Sequence, residues 1–313
     1  MTIKRIEPAV LAYLTGTPLT HAAGTVGLTS EDLAGAATRY QEAGRAALDL
    51  AAQGWRQINV EFSDPAAADN VAVAHLIPAL RAGQASGASG RWWFMRKRPG
   101  WRLRIQVTDP VPPTNDELSD ALARAKAAGG IVRWWPSRYE PEVAAFGGPA
   151  GIHHAHDLFA EDSTGFARLL VSGSELDRVL LSLLLMTHLQ RAAGLDWHER
   201  GDVWARVADQ RNPAHLSVDD ARRLAGQART VITTDTHAIS RPSGTLAPIA
   251  GWADRLNTSG RRLSGLAQEG ALTRGLRDIL ALHVIYHWNR LGLSADQQAA
   301  WAGACRDAVL QDR

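Results

Sequence analysis

Hydrophobic positions change their period twice along this chain. Up to about Gly54 they recur at helical spacing: Thr29-Ser-Glu-Asp32 predicts a capped helix start, and Leu33, Ala36, Ala37, Tyr40 and Ala47 follow on one face. From Trp55 the pattern alternates between strand and helix. Trp55–Phe62 reads as a strand, and Asp64-Pro65 opens a helix that runs toward Arg81 and is broken by the Gly and Ser residues of 83–90. Arg91–Arg96 and Trp101–Val107 are predicted as strands joined by the hairpin residues Lys97-Arg98-Pro99-Gly100. A helix from about Asn115 to Ala128 and a short strand Ile131–Trp135 complete this stretch. Beyond Ala150 the spacing is helical throughout, including Glu175–Ala193, Val218–Ile232 and Arg274–Arg290.

The order β-α-β-β-α-β is that of a ferredoxin-like unit, a four-stranded antiparallel sheet with both helices on one face. The predicted fold class is therefore α+β: a ferredoxin-like sheet (55–147) packed with a large C-terminal helical portion (148–313), preceded by a small helical N-terminal segment (1–54). In the strand 101–107, Trp101, Leu103, Ile105 and Val107 point one way while Arg102, Arg104 and Gln106 point the other. The helical half is expected to pack on the open sheet face, so that the arginines line an internal cleft. The plainer alternative is that they are solvated strand residues.

At 313 residues, 45% hydrophobic and 21% charged, the chain can bury a substantial core, which excludes disorder. A formal charge of +2 gives no bulk electrostatic case for a nucleic-acid or membrane-surface protein. The stretch His21–Gly44 has a helix-turn-helix rhythm, but its second helix sets Glu31, Asp32 and Glu42 against only Arg39 and Arg45, a poor balance for DNA. The single cysteine, Cys305, fits a reducing compartment. No signal-peptide core precedes Pro8, and the longest apolar run, Val179–Met186, is too short for a membrane span. A cytoplasmic protein is expected.

Eleven histidines raise the question of metal. His153-His154-Ala-His156-Asp157 would diverge around a helix axis, and His198-Glu199 lacks the second histidine of a zincin, so no metal is expected. Walker A, strand-anchored Gly-x-Gly-x-x-Gly and Gly-x-Ser-x-Gly patterns are missing, and Gly147-Gly148 is too short to signal a phosphate cradle. What remains is a set of arginines, histidines and aromatics. His283, His287 and Arg290 share one helical face, which suits either a base beside a cation or a structural face. Tyr139-Glu-Pro-Glu142, next to Arg138 and ahead of Phe146-Gly-Gly148, suits either a substrate-orienting loop or a polar turn closed by glycines.

Several ordered blocks resemble the C-terminal domain of class I lantibiotic dehydratases, and more closely its free-standing members from thiopeptide-type bacteriocin biosynthesis. They are Arg91–Ile105 (RWWFMRKRPGWRLRI), Tyr139–Gly148, Leu158-Phe-Ala-Glu-Asp-Ser163, Gly194–Trp204 and His287-Trp-Asn-Arg-Leu-Gly292, and the likeness runs from about Trp55 to the end. The resemblance implies a carbon–oxygen lyase that eliminates glutamate from glutamylated Ser or Thr of a ribosomal precursor peptide, leaving dehydroalanine or dehydrobutyrine. It implies a separate glutamyl-tRNA-dependent glutamylating subunit as partner, no cofactor, and no direct contact with nucleic acid or membrane; a homodimer is left open. Such an elimination needs a base for the Cα proton, a donor for the developing enolate and clamps for carboxylates. By position in the blocks, the resemblance assigns catalytic roles to Arg102, Arg104 and His287, with His287 as acid/base. Substrate binding falls to Arg96, Trp101, Arg138, Tyr139, Glu142, His283, Asn289 and Arg290.

Two positions depart from the family pattern. Trp101 stands where the family often has His before the Arg-x-Arg pair, and Pro141 where it often has Arg, a cation that Arg138 could replace in space. The same fold also serves pyridine synthases, which cyclise two dehydroalanines, and a non-catalytic precursor-binding scaffold is the rival from outside enzymology.

Overall fold

The computed structural model describes residues 3–52, 54–107, 117–212, 216–235 and 246–310. It divides into two compact units, Met1–Gln53 and Gly54–Arg313. The first holds α1 (Ile3–Leu14), α2 (Leu19–Val26) and α3 (Ser30–Ala52). Ala9, Val10, Ala22, Ala23, Leu33 and Ala37 form its small core. Thr29 starts α3 as the capping pattern predicts, its hydroxyl accepting from the Asp32 amide at 3.1 Å. Leu33 and Ala37 are buried, whereas Tyr40 on the same predicted stripe stays 43% exposed, so the apolar face is narrower than its spacing suggests. The side chains of Arg45 and Ala47 lie outside the described residues.

The second unit begins with β1 (Trp55–Phe62), followed by a 3₁₀ turn (Pro65–Ala67), α4 (Ala68–Val71), a π-helical stretch (Ala72–Leu76) and α5 (Ile77–Ser86). Asp64 caps this run, accepting from the Ala66 amide at 2.9 Å with Pro65 in the first position. The helix continues to Ser86, past the predicted stop, because Gly83 is buried where the chain folds back and its carbonyl accepts from Ser89. Next come β2 (Trp92–Lys97), β3 (Gly100–Gln106), α6 (Glu117–Ala127) and β4 (Ile131–Ser137). Asn115, the start of the predicted helix from about Asn115 to Ala128, lies outside the described residues.

All strand pairs are antiparallel in the order β2-β3-β1-β4, the ferredoxin-like topology read from the sequence. One face carries the buried Ile58, Val60, Phe62, Trp101, Leu103 and Ile105. The register sets Gln57 opposite Arg104 and Asn59 opposite Arg102, so amides and arginines share the other face. Tight closure of the hairpin requires Gly100: a Cβ there would overlap the Val60 carbonyl oxygen.

The remainder of the unit is helical: α7 (Pro149–Val171), α8 (Arg178–Ala192), α9 (Trp197–Asp209), α10 (Val218–Thr233), α11 (Ala250–Gln268, after a 3₁₀ turn Ala247–Ile249), α12 (Leu276–Leu291) and α13 (Ala295–Leu310). These helices cover the open sheet face only in part: α7 and α12 dock along β2, the edge strand, and reach over Trp93 and Arg104 through Phe159 and Tyr286. At Phe94 the free edge is closed by side chains: the Phe94 amide donates to Ser163 Oγ (3.2 Å) and its carbonyl accepts from Arg290 Nε (3.0 Å). The polar face around Asn59, Arg102, Trp135 and Ser137 therefore remains accessible. Among the described residues no helix is long and apolar enough to cross a membrane.

Candidate functional site

The polar sheet face meets the helices in a cleft of about 410 Å³. Gln57 of β1, Trp93 of β2, Arg102 and Arg104 of β3, Arg138–Glu142 of the loop after β4, Ile152 and Phe159 of α7 and Tyr286 of α12 line it. Arg104 is the most confined cation, 6% exposed. Its Nε donates to Gln57 Oε1 at 2.8 Å, and its guanidinium lies 4.1 Å from the Trp93 ring centre and 4.8 Å from that of Tyr139. Nη1 is buried without a protein partner. Burial lowers the Arg104 pKa to about 10, with Tyr139, Tyr286 and Glu142 counteracting and Arg102 reinforcing the shift, so the group is a fixed cation at neutral pH.

Two phenols flank it. Tyr139 Oη lies 2.8 Å from His156 Nε2, and Tyr286 lies beside the Glu142 carboxylate. Burial raises both phenol pKa values, and Glu142 adds to the rise at each, so both stay protonated donors.

A second polar cluster lies behind this cleft, inside the core. Asp162 of α7 receives Trp252 Nε1–H (3.0 Å) and Arg290 Nη1–H, and both its oxygens lie within 3.0 Å of His287 Nδ1. Trp252 reaches Asp162 by lying flat on Gly165, where any Cβ would overlap the indole. Burial alone would raise the Asp162 pKa, but His287 and Arg290 overcome it and hold the carboxyl below its usual range. Because the same Arg290 closes the β2 edge at Phe94, the cluster ties α7, α11, α12 and the sheet together. Asp162→Asn is expected to cost about 3 kcal/mol, since it leaves Arg290 buried without its counter-charge. A urea midpoint lowered at constant m-value checks this.

The structure thus sorts the sequence-derived candidates into three places. Arg102, Arg104, Arg138, Tyr139 and Glu142 share the 410 Å³ cleft. Arg96, Trp101 and Asn289 line a separate groove of about 850 Å³ beside the hairpin, where Arg96 pairs with Asp69 and donates to the Arg290 carbonyl. His283, His287 and Arg290 are in the core, each no more than 2% exposed, and none lines the cleft. Their shared helical face is the inward one. His283 sits among Phe146, Phe159 and His154, with both ring nitrogens unpartnered and a pKa lowered to about 3, chiefly by burial. Sequence reasoning missed Tyr286, Gln57 and Asp162. Tyr286 lies three residues after His283, within the stretch that drew attention, and Gln57 faces Arg104 by simple strand alternation. Among the described residues no three His, Cys, Asp or Glu side chains gather as metal ligands; His153, His154 and His156 point into different surroundings around α7.

Residues 55–309 match the family model described as lantibiotic biosynthesis dehydratase C-term. No curated protein matches the chain. Among solved structures, the tRNA-dependent lantibiotic dehydratase MibB from Microbispora sp. 107891 aligns over 82% of this chain at 18% identity with a TM-score of 0.61; the alignment spans 28% of MibB. TsrL aligns over 83% of this chain and 95% of its own length (16% identity, TM-score 0.56). The pyridine synthase TbtD from thiomuracin biosynthesis aligns over 82% and 98% (17% identity, TM-score 0.51). At these identities the three structures share the fold.

Proposed function

The chain belongs to the lantibiotic biosynthesis dehydratase C-terminal family, and on that premise we propose that it eliminates glutamate from glutamylated Ser or Thr of a ribosomal precursor peptide, after a separate subunit has attached the glutamyl group from glutamyl-tRNA. The observation that carries this reading is the Arg104 guanidinium: desolvated, stacked between Trp93 and Tyr139, and left with an unsatisfied N–H beside a cleft that also holds Arg102 and Arg138. A preorganised donor of this kind is worth most where negative charge develops in a water-poor site.

The elimination removes the Cα proton, turns that electron pair into the Cα=Cβ bond and expels glutamate as a carboxylate from Cβ. In the proposed arrangement Arg104, with the phenol of Tyr139, receives the developing enolate oxygen. Arg102 and Arg138 take the glutamyl carboxylates in forked contacts. Since His287 does not line the cleft, proton abstraction falls to one of the two carboxylates that do, Glu140 and Glu142, and is assigned to Glu142 because it is the one beside Tyr286 and Tyr139. His287, held on Asp162, becomes a positioning residue: it fixes the helix that presents Tyr286. No cofactor is required by this chemistry.

Intact-mass analysis of a peptide carrying a synthetic glutamyl ester on Ser tests the proposal. Incubation with the protein is expected to leave a product one water lighter than the unmodified peptide, with free glutamate released. An unchanged adduct on a peptide shown to bind overturns it. A pyridine formed from a linear, already dehydrated peptide would assign the cleft to cyclisation instead.

A further inference from the structure

Next to the Arg104 cleft, and sharing Gln57, Arg102 and Arg138 with it, a second cleft of about 330 Å³ extends over the open sheet face toward the hairpin. Its lining is electrostatically one-sided: Lys97, Arg98, Arg102 and Arg138 contribute four cations, and among the described residues no carboxylate lines it. Among the described residues no ion pair or hydrogen bond engages these four side chains. The floor is polar and already ordered, with Ser137 Oγ accepting from Gln57 Nε2 at 2.6 Å and from Asn59 Nδ2 at 2.7 Å, and Trp135 forms a wall. Several other arginines of the sheet and its neighbours do have a carboxylate partner: Arg96 and Arg178 share Asp69, Arg133 pairs with Glu61 and Arg91 with Asp157. Four unneutralised cations in one concavity mark a site that awaits an anion.

We propose that this second cleft binds acidic side chains of the peptide that flank the reacting Ser or Thr. This rests on the elimination reading above and adds a substrate class to it: peptides bearing Asp or Glu near the modified residue. The spacing follows from the strand. From Arg104 to Arg102, and again from Arg102 to the Gly100–Lys97 pair, is a step of two residues, about 7 Å each. An extended peptide places side chains on one side at the same interval. With the reacting residue at Arg104 and its glutamyl group on Arg102 and Arg138, a carboxylate four residues away comes to lie over Lys97 and Arg98. The ordered side chains of Gln57, Asn59 and Ser137 would line the path between them.

Fluorescence anisotropy with the full-length protein and labelled peptides of unmodified sequence tests this without requiring turnover. One peptide carries Asp four residues to either side of its single Ser; its control carries Asn at the same places. The Asp peptide is expected to bind about tenfold more tightly at low salt, with the advantage shrinking as salt rises. In a Lys97→Gln/Arg98→Gln variant the advantage should largely vanish. Equal affinity for the Asp and Asn peptides overturns the proposal, and so does an advantage that survives in the double variant. Displacement of the labelled peptide by single-stranded RNA at lower concentration than by unlabelled Asp peptide also overturns it and assigns the cleft to nucleic acid. Because no glutamyl group takes part, this result is readable even if elimination fails. Where glutamylated versions do turn over, the Asp preference should appear in KM and not in kcat.

Discussion

Acidification from pH 7 is expected to destabilise the second unit steeply, beginning near pH 6.5. His154, His156 and His283 are each no more than 2% exposed, and burial as the leading cause lowers their pKa values to about 4, about 3 and about 3. Nearby positive charge pushes the same way: Arg262 and His153 at His154, His153, Arg91 and Arg104 at His156, and His154 and Arg290 at His283, where Asp162 opposes. Below about pH 6.5 the unfolded chain takes up protons at these rings that the folded chain refuses, so stability falls as pH falls. Each ring contributes up to about 1.4 kcal/mol per pH unit, and three together approach about 4 kcal/mol per unit between roughly pH 5.5 and 4. Asp162 acts in another window: its pKa is depressed in the fold, so its contribution is intact above the unfolded value and lost only at stronger acidity. Urea midpoints at pH 7.5, 6.5, 5.5 and 5.0 read the effect. His283→Leu, which removes two unpartnered nitrogens from an aromatic pocket, should cut the slope by about a third. A midpoint independent of pH in this range would refute the account.

The same buried histidines show where reading the sequence succeeds and where it stops. Polar and apolar residues alternate strictly over Gln57–Phe62 and Trp101–Gln106, and the β-α-β-β-α-β order permits one familiar sheet, so the face shared by Arg102 and Arg104 could be named in advance. Helical spacing likewise put His283, His287 and Arg290 on one face. Periodicity does not say what a face meets. That of α12 meets Asp162, more than 120 residues away in sequence, and a histidine facing a buried carboxylate is part of a structural cluster where the same histidine facing solvent would be an available base. The position of the helical half was legible only in part for a related reason. An open sheet face and an unsatisfied strand edge both need covering, and α7 and α12 serve both: Ser163 and Arg290 supply the acceptor and donor that Phe94 lacks, while Phe159 and Tyr286 reach over Trp93 and Arg104.

Tyr286 illustrates a different limit. Its neighbours in sequence, Ile285 and His287, are buried, and only the angle of α12 against the loop 138–148 turns the phenol toward Glu142. The residues that line the cleft come from six separate elements, and each is ordinary in its own segment. What distinguishes them is convergence on Arg104, which no local pattern encodes.

Replacing Arg104 is therefore expected to have the largest effect on the reaction. Arg104→Lys keeps a positive charge but loses the planar fork, the stack between Trp93 and Tyr139, and the simultaneous hold on Gln57 and the cleft. Removing one preorganised donor to a developing oxyanion costs on the order of 10²–10³ in kcat, and a lysine that cannot reproduce the geometry should fall in that range. Arg102 is half-buried and makes no hydrogen bond with a described side chain, so Arg102→Lys should act mainly through substrate binding, raising KM by roughly tenfold. The order Arg104 over Arg102, and the split between kcat and KM, separate this arrangement from one in which both arginines merely attract an anionic peptide. Single-turnover assays on the glutamyl-Ser peptide, followed by mass, measure both numbers. Thermal melting of each variant keeps a folding defect apart from a chemical one: the assignment requires Arg104→Lys to lose elimination while it remains folded at the assay temperature. Equal, KM-only effects at the two positions would reduce Arg104 to a binding group and leave the enolate without its proposed donor.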